Sequence, residues 1–198
     1  MTDKQNFIEF LVSQDVLKFG TFTLNSGRQS PYFFNLGSVS SGAAYARLGA
    51  AYADAVLQSG IKFDLIFGPA YKGIPIAVAT SLALAERGVD VGVAYNRKEA
   101  KDHGEGGLLV GASVVGRVLM LDDVLTSGKA IRGAAELIRA QDADVAGVVV
   151  ALDRAEVMAD AGQTALADLA QALAAPAPSI AHRTDALGDL QHPAAPAA

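Results

Sequence analysis

The chain has 198 residues, of which 51% are hydrophobic and 19% charged, values typical of one compact α/β domain with a substantial core. Its net charge of −5 argues against a general nucleic-acid surface, and its lack of cysteine excludes disulfides and thiol chemistry. No apolar run approaches the ~20 residues that span a bilayer, and the N-terminus lacks the features of a signal peptide, so we expect a cytoplasmic protein with neither a nucleic-acid nor a membrane partner.

In chain order, apolar residues at near-helical spacing (Phe7, Phe10, Leu11 and Leu17) predict an N-terminal helix. Two short strands at 19–24 and 31–35 flank a polar turn. The further predicted helices cover about 41–59, 73–87, 131–140 and 164–173. The further predicted strands cover 64–67, 89–95, 118–121, 145–152 and 179–182. Strands that alternate with helices indicate a central parallel sheet flanked by helices.

The segment 118–130 is the most informative, because a buried strand there ends in two adjacent carboxylates, Asp122 and Asp123. Thr126, Ser127 and Gly128 then lead into a helix, where backbone N–H groups can hold a phosphate. The acids suit a diol or a metal beside that phosphate, and a sugar phosphate has all of these parts. Solvated acids at a strand end are the alternative. A Walker-type loop and a dinucleotide fingerprint both fail on spacing.

Four other segments lie where ligands of such a sheet bind or carry suitable side chains. Residues 96–107 combine cations, acids and glycines, which fits either a solvated hairpin tip or a mobile loop that neutralises a leaving group. Residues 67–75 form either an ordinary strand–helix connection or a ligand contact. The aromatic residues in 24–35 fit either the core or a platform for a planar base. Arg154 after the strand at 145–152 fits either a surface salt bridge with Asp153 or a carboxylate clamp.

The segment 118–130 resembles the binding motif for phosphoribosyl pyrophosphate in type I phosphoribosyltransferases, and residues 97–107 resemble the catalytic loop of the bacterial orotate phosphoribosyltransferases. The resemblance implies that the acidic pair binds the ribose hydroxyls and that the following loop grips the 5′-phosphate. It implies catalytic roles for Lys101, Asp102 and His103. The implied donor-binding residues are Tyr71, Lys72, Arg97, Lys98, Lys101, His103, Asp122, Asp123, Val124, Leu125, Thr126, Ser127, Gly128, Lys129 and Ala130. The implied orotate-binding residues are Asn25, Phe33, Phe34, Thr126 and Arg154, with Ser26 and Gly27 close by.

The resemblance further implies the type I fold, with a small hood built from about 1–40 and part of 155–191. A single domain over 1–191 and a disordered tail at 192–198 are therefore expected. Mg²⁺ held mainly through the donor, rather than directly by protein ligands, and a homodimer with the loop acting across the interface are also implied. Beyond Arg154 the resemblance thins into an Ala/Pro-rich sequence.

Two positions depart from the family pattern, because Asn25 stands where the family has lysine and Lys129 where it has threonine or serine. The expected activity is transfer of the phosphoribosyl group to orotate, which gives orotidine 5′-monophosphate and pyrophosphate. One alternative is a phosphoribosyltransferase for another base. The other is a catalytically impaired regulator that binds phosphoribosyl pyrophosphate.

Overall fold

The computed structural model describes residues 3–23, 27, 29–101, 107–125, 128–155 and 162–188, apart from the side chains of Ala100 and Lys101. Helix α1 spans Asp3–Ser13 and is followed by an antiparallel hairpin of β1 (Leu17–Thr23) and β2 (Gln29–Phe34). The placement of Leu17 on the first helix is wrong, because Asp15 adopts a left-handed conformation with φ 56° and turns the chain. Leu17 instead begins β1 and pairs with Phe34.

Helix α2 (Gly42–Ser59) follows a short 3₁₀ turn at Leu36–Ser38 and begins and ends at the residues that the sequence indicated. The Ser41 hydroxyl accepts a hydrogen bond from the Ala44 N–H at 3.2 Å and caps the first turn. Gly60 ends the helix in a left-handed conformation with φ 69°.

The main sheet has six described strands in the order β5-β4-β3-β6-β7-β8. Their bounds are β3 Leu65–Gly68, β4 Gly92–Lys101, β5 Gly107–Gly111, β6 Arg117–Val124, β7 Asp144–Asp153 and β8 Ser179–His182. All neighbours run parallel except β5, which is antiparallel to β4. The predicted parallel sheet is therefore confirmed for five strands. Strand β5 was not predicted, because a glycine at each end gives this short segment the composition of a loop.

Helices cover both faces of the sheet, so the buried apolar residues form two clusters, one on each face. Strand β6 contributes side chains to both clusters. Leu119 and Leu121 belong to the apolar cluster that contains residues of α2 and of α3 (Gly73–Glu86). Val118 and Met120 belong to the other cluster, with residues of α4 (Lys129–Arg139) and α5 (Ala165–Leu173). This alternation is the two-residue period of a strand that is buried on both sides.

The last described helix, α6 (Arg183–Gly188), lies beside the N-terminal helix α1. The Lys4 Nζ of α1 is 3.7 Å from the Asp185 Oδ2 of α6. The hood and the domain limits remain predictions, and the expected disordered tail at 192–198 lies outside the described residues. Among the helices that the structure describes, none combines the length and apolarity needed to cross a bilayer.

Candidate active site

The order of the strands creates a crevice between β3 and β6. The chain runs from β3 outward to β4 and β5, and then returns to the opposite side of β3 to form β6. Helices α3 and α4, which follow β3 and β6, pack on opposite faces of the sheet. In open α/β sheets, ligands bind at such a reversal, outside the carboxyl ends of the strands.

A cavity of about 210 Å³ lies at this reversal. Two connections line it, one between β3 and α3 and the other between β6 and α4. Its lining residues are Ala70, Tyr71, Lys72, Asp122, Asp123, Val124, Leu125, Gly128, Lys129, Ala130 and Ile131. The structure therefore brings together two segments about 50 residues apart that sequence analysis had singled out separately.

The acidic pair is held inside the protein at the end of β6. Asp122 is 9% exposed and Asp123 is 7% exposed. The Asp122 carboxylate accepts a hydrogen bond from the Asp123 N–H at 2.9 Å, and Lys72 Nζ donates to Asp123 Oδ2 at 2.7 Å. Burial, followed by the charge of Asp123, raises the pKa of Asp122 to about 7. Two adjacent carboxylates kept from water are strong hydrogen-bond acceptors for hydroxyl groups.

The N-terminus of α4 adds an anion-binding element to the same cavity. Gly128 occupies the cap position in a left-handed conformation with φ 66°, which glycine adopts without strain, and it provides no side-chain cap. The first N–H groups of a helix have no acceptor within the helix, and the helix dipole makes this end positive. With Lys129 beside them, these amides suit a phosphate.

The connection after β3 is fixed to the neighbouring strand by Asn96, which sequence analysis did not select. Its side-chain oxygen accepts a hydrogen bond from the Ala70 N–H at 3.1 Å. The peptide bond between Ala70 and Tyr71 is cis. Tyr71 is 64% exposed, and the Lys98 Nζ lies 4.7 Å from the centre of its ring. Asn96 is the first residue of β4 beyond its pairing with β3, which ends at Gly68 and Tyr95, so its side chain can reach the connection that follows β3.

Residues 96–101 of the charged segment lie on β4, and Gly107 begins β5, which runs antiparallel to β4. Lys101 pairs with Gly107, and Arg97 Nη1 donates to the Gly107 carbonyl at 3.3 Å. Asp102 and His103 lie outside the described residues, so the choice between a solvated hairpin tip and a catalytic loop stays a prediction. Asn25, Ser26, Thr126 and Ser127 also lie outside the described residues.

At the end of β7, Arg154 contacts the N-terminal hairpin. It is 9% exposed, and its guanidinium carbon lies 5.3 Å from the centre of the Tyr32 ring. Phe33 and Phe34 are not brought together. Phe34 is buried, whereas Phe33 is 41% exposed and lies beside Phe22. Adjacent residues of a strand face opposite sides, so a single base cannot contact both ring faces directly.

Several known proteins are similar to this chain in sequence and in fold. Residues 37–161 match the phosphoribosyl transferase domain family. An orotate phosphoribosyltransferase of Neisseria meningitidis is 57% identical over 157 residues, which cover 79% of this chain and 74% of that protein. One of Escherichia coli is 58% identical over 154 residues, which cover 77% and 72%. The crystal structure of the orotate phosphoribosyltransferase of Francisella tularensis superposes with a TM-score of 0.81 at 41% identity and covers 89% of this chain and 85% of that one. The chain therefore belongs to the phosphoribosyltransferase family and, within it, to the orotate phosphoribosyltransferases.

Proposed function

We propose that the protein transfers the phosphoribosyl group of phosphoribosyl pyrophosphate to orotate and releases pyrophosphate, a step of pyrimidine synthesis. The observation that carries this proposal is the buried acidic pair beside the N-terminus of α4, in a chain 57% identical to an orotate phosphoribosyltransferase. A cytoplasmic location stays a prediction.

The donor fits the cavity through three kinds of contact. The carboxylates of Asp122 and Asp123 accept hydrogen bonds from the two ribose hydroxyls. The backbone amides from Val124 to Ala130 hold the 5′-phosphate, and the Lys129 cation supports them. Lys72, whose Nζ already donates to Asp123 Oδ2 at 2.7 Å, contacts the pyrophosphate of the donor in this proposal.

Orotate is recognised from the β7 side. Arg154 offers two parallel N–H groups to the carboxylate of orotate, and its position over the Tyr32 ring restricts the plane of the guanidinium. Phe33 has the exposed ring that a planar base can contact, while Phe34 supports the hairpin from within the core.

In the reaction, the N1 atom of orotate forms a bond to the C1′ atom of the ribose as the bond from C1′ to the pyrophosphate oxygen breaks. The electron pair of that bond leaves with pyrophosphate, and the N1 proton passes to a base, the role expected of Asp102. Lys72, Lys98 and Lys101 neutralise the charge that grows on pyrophosphate in the transition state. Catalysis therefore rests mainly on positioning and charge stabilisation.

Mg²⁺ is the proposed cofactor, and the chemistry of the site suits it. Within the described residues, no group of three or more His, Cys, Asp or Glu side chains could hold a metal ion. Mg²⁺ is commonly bound by one or two carboxylates together with substrate phosphates, and the phosphate oxygens of the donor would supply most of its ligands beside Asp122 and Asp123. When bound, the ion supplies positive charge to the donor oxygens.

The partner in a homodimer is proposed to contact α3. This helix carries no charge from Gly73 to Ala85, and its outer face exposes Val78 (44%) and Leu82 (64%), one turn apart. A helix that is apolar all round is normally covered, and a second copy of the chain would cover this face.

The activity is tested by mixing purified protein with orotate, phosphoribosyl pyrophosphate and Mg²⁺ and following the loss of orotate absorbance. Orotate should be consumed, and a panel of other bases should not. If the protein turned over a different base and not orotate, that base would be the acceptor. If it bound the donor without turnover of any base, it would be the catalytically impaired regulator.

The loop and the dimer are tested together by mixing two inactive variants, Lys101→Ala and Asp123→Asn. If the loop acts across the interface, a hybrid dimer contains one site with an intact loop and intact acids, so activity should return on mixing. If mixing restores nothing while each variant remains dimeric, the loop acts within its own subunit.

A further inference from the structure

One buried hydroxyl reaches the acidic pair from a distant helix. Tyr52 of α2 has no exposed surface, and its hydroxyl donates to the backbone carbonyl of Asp122 at 2.7 Å. A side chain of α2 thus contacts the main chain of β6 at the residue that begins the acidic pair.

This connection lies where the sheet gives β6 less support. The pairing of β3 with β6 extends only to Phe67 and Met120, whereas β6 continues to Val124. Beyond Met120, β7 is the only strand of the described part of the chain that pairs with β6. The acids therefore lie on a strand end that has lost one of its two neighbours, and Tyr52 adds a contact there.

The helix that carries Tyr52 is held unusually close to its neighbour. At Gly49, three residues before Tyr52, an added Cβ would lie 2.3 Å from the Ala79 carbonyl oxygen of α3. Glycine at this position lets α2 approach α3, and the position of α2 determines how far the Tyr52 hydroxyl reaches into the sheet.

We propose that Tyr52 is a positioning residue, which holds the main chain at Asp122 so that both carboxylates meet the ribose hydroxyls of the donor. The proposal rests on the ribose-binding role proposed above for Asp122 and Asp123. An apolar ring would fill the same space, whereas a buried hydroxyl must be hydrogen-bonded to be tolerated. Tyr52 directs that hydrogen bond to the backbone of a site residue.

Tyr52→Phe tests the proposal, because it removes the hydroxyl and keeps the ring. Ribose contacts exist in both the bound donor and the transition state, so their weakening should raise the donor KM about tenfold, the effect of one hydrogen bond, with kcat within twofold. The orotate KM should also stay within twofold. Tyr45→Phe is the matched control, since Tyr45 lies on the same helix, is half-buried, and should leave all three constants unchanged.

Three results would overturn the proposal: an unchanged donor KM in Tyr52→Phe, equal changes in both KM values, or equal changes in Tyr45→Phe. A purely structural role would lower the melting temperature without separating the two KM values. Introduced into the double variant Asp122→Asn/Asp123→Asn, Tyr52→Phe should add less than twofold to the dissociation constant of the donor, because both carboxylates that it positions are absent. A full tenfold addition there would contradict positioning.

Failure of the proposed function gives a different result, since wild-type protein would then consume no orotate at all. If Tyr52→Phe does not fold, wild-type protein labelled at the tyrosine ring carbon that bears the hydroxyl provides the measurement by NMR. Saturating phosphoribosyl pyrophosphate should shift the Tyr52 signal and leave the Tyr45 signal in place. A Tyr52 signal that does not move would overturn the proposal.

Discussion

Asp122→Asn should make the folded protein more stable while it weakens donor binding. Burial and the charge of Asp123 raise the pKa of Asp122 from 3.8 to about 7. Between these values the folded state keeps a proton that the unfolded chain has released. The free energy of unfolding therefore falls as the pH rises through this interval, and asparagine, which cannot ionise, avoids the loss.

The size of the effect follows from the shift. A change of about 3 pH units at 1.36 kcal/mol per unit gives an upper limit of about 4 kcal/mol. We therefore expect Asp122→Asn to exceed the wild type in unfolding free energy by about 2–4 kcal/mol at pH 8 and by less than about 0.5 kcal/mol at pH 4. The dissociation constant of the donor should rise about 10- to 100-fold, because a charged hydrogen bond to ribose is lost.

Urea unfolding of both proteins at intervals from pH 4 to pH 8 measures the stability difference. Asp90→Asn is the control for the loss of one carboxylate, since Asp90 is exposed and its change should stay within about 0.5 kcal/mol. The reasoning would be refuted if the unfolding free energies of wild type and Asp122→Asn changed in parallel with pH, or if the variant were the less stable protein at pH 8. Either result would mean that ionised Asp122 does not destabilise the folded state.

Three further substitutions test the fold and the two ends of the site. Gly49→Ala should lower the unfolding free energy by about 1–3 kcal/mol, because the added Cβ collides with Ala79 of α3. The control Gly133→Ala, with open space around it, should raise the unfolding free energy by about 0.5–1 kcal/mol. Equal effects of the two substitutions on urea unfolding would contradict the close approach of α2 to α3. Lys72→Met should raise the donor KM about tenfold and lower the unfolding free energy at pH 8 by about 1–2 kcal/mol, because Asp123 stays buried and loses its cation. An unchanged donor KM and an unchanged unfolding free energy would contradict a role for the contact between Lys72 and Asp123. Arg154→Gln should raise the orotate KM at least about tenfold with the donor KM within twofold, and the opposite split in steady-state kinetics would place Arg154 on the donor side.

The strand that ends in two acids and the helix start that follows it were predictable, because their signals are local. An apolar run that ends in two acids indicates that Asp122 and Asp123 lie near the end of a buried strand. The glycine before the next helical segment indicates that Gly128 precedes the first turn of α4. The limits of α2 were predictable for the same reason. The Ser41 side chain caps its first turn, and Gly60 ends it in a left-handed conformation, and neither depends on other elements.

Residues whose roles depend on tertiary packing were missed. Tyr52 lies on the apolar face of a helix, so its spacing indicates only a core residue, and its partner is 70 positions away. Asn96 contacts Ala70 only because β4 lies beside β3. The joint assignment of Phe33 and Phe34 to one pocket, in contrast, overlooked a signal that was present, since neighbours on a strand point in opposite directions.

A crystal structure of the protein with bound phosphoribosyl pyrophosphate tests the central claim most directly. We expect the two ribose hydroxyls within about 3.2 Å of the Asp122 and Asp123 carboxylates, with the 5′-phosphate at the N-terminus of α4. A sugar bound elsewhere, with both carboxylates making no contact to it, would contradict the account.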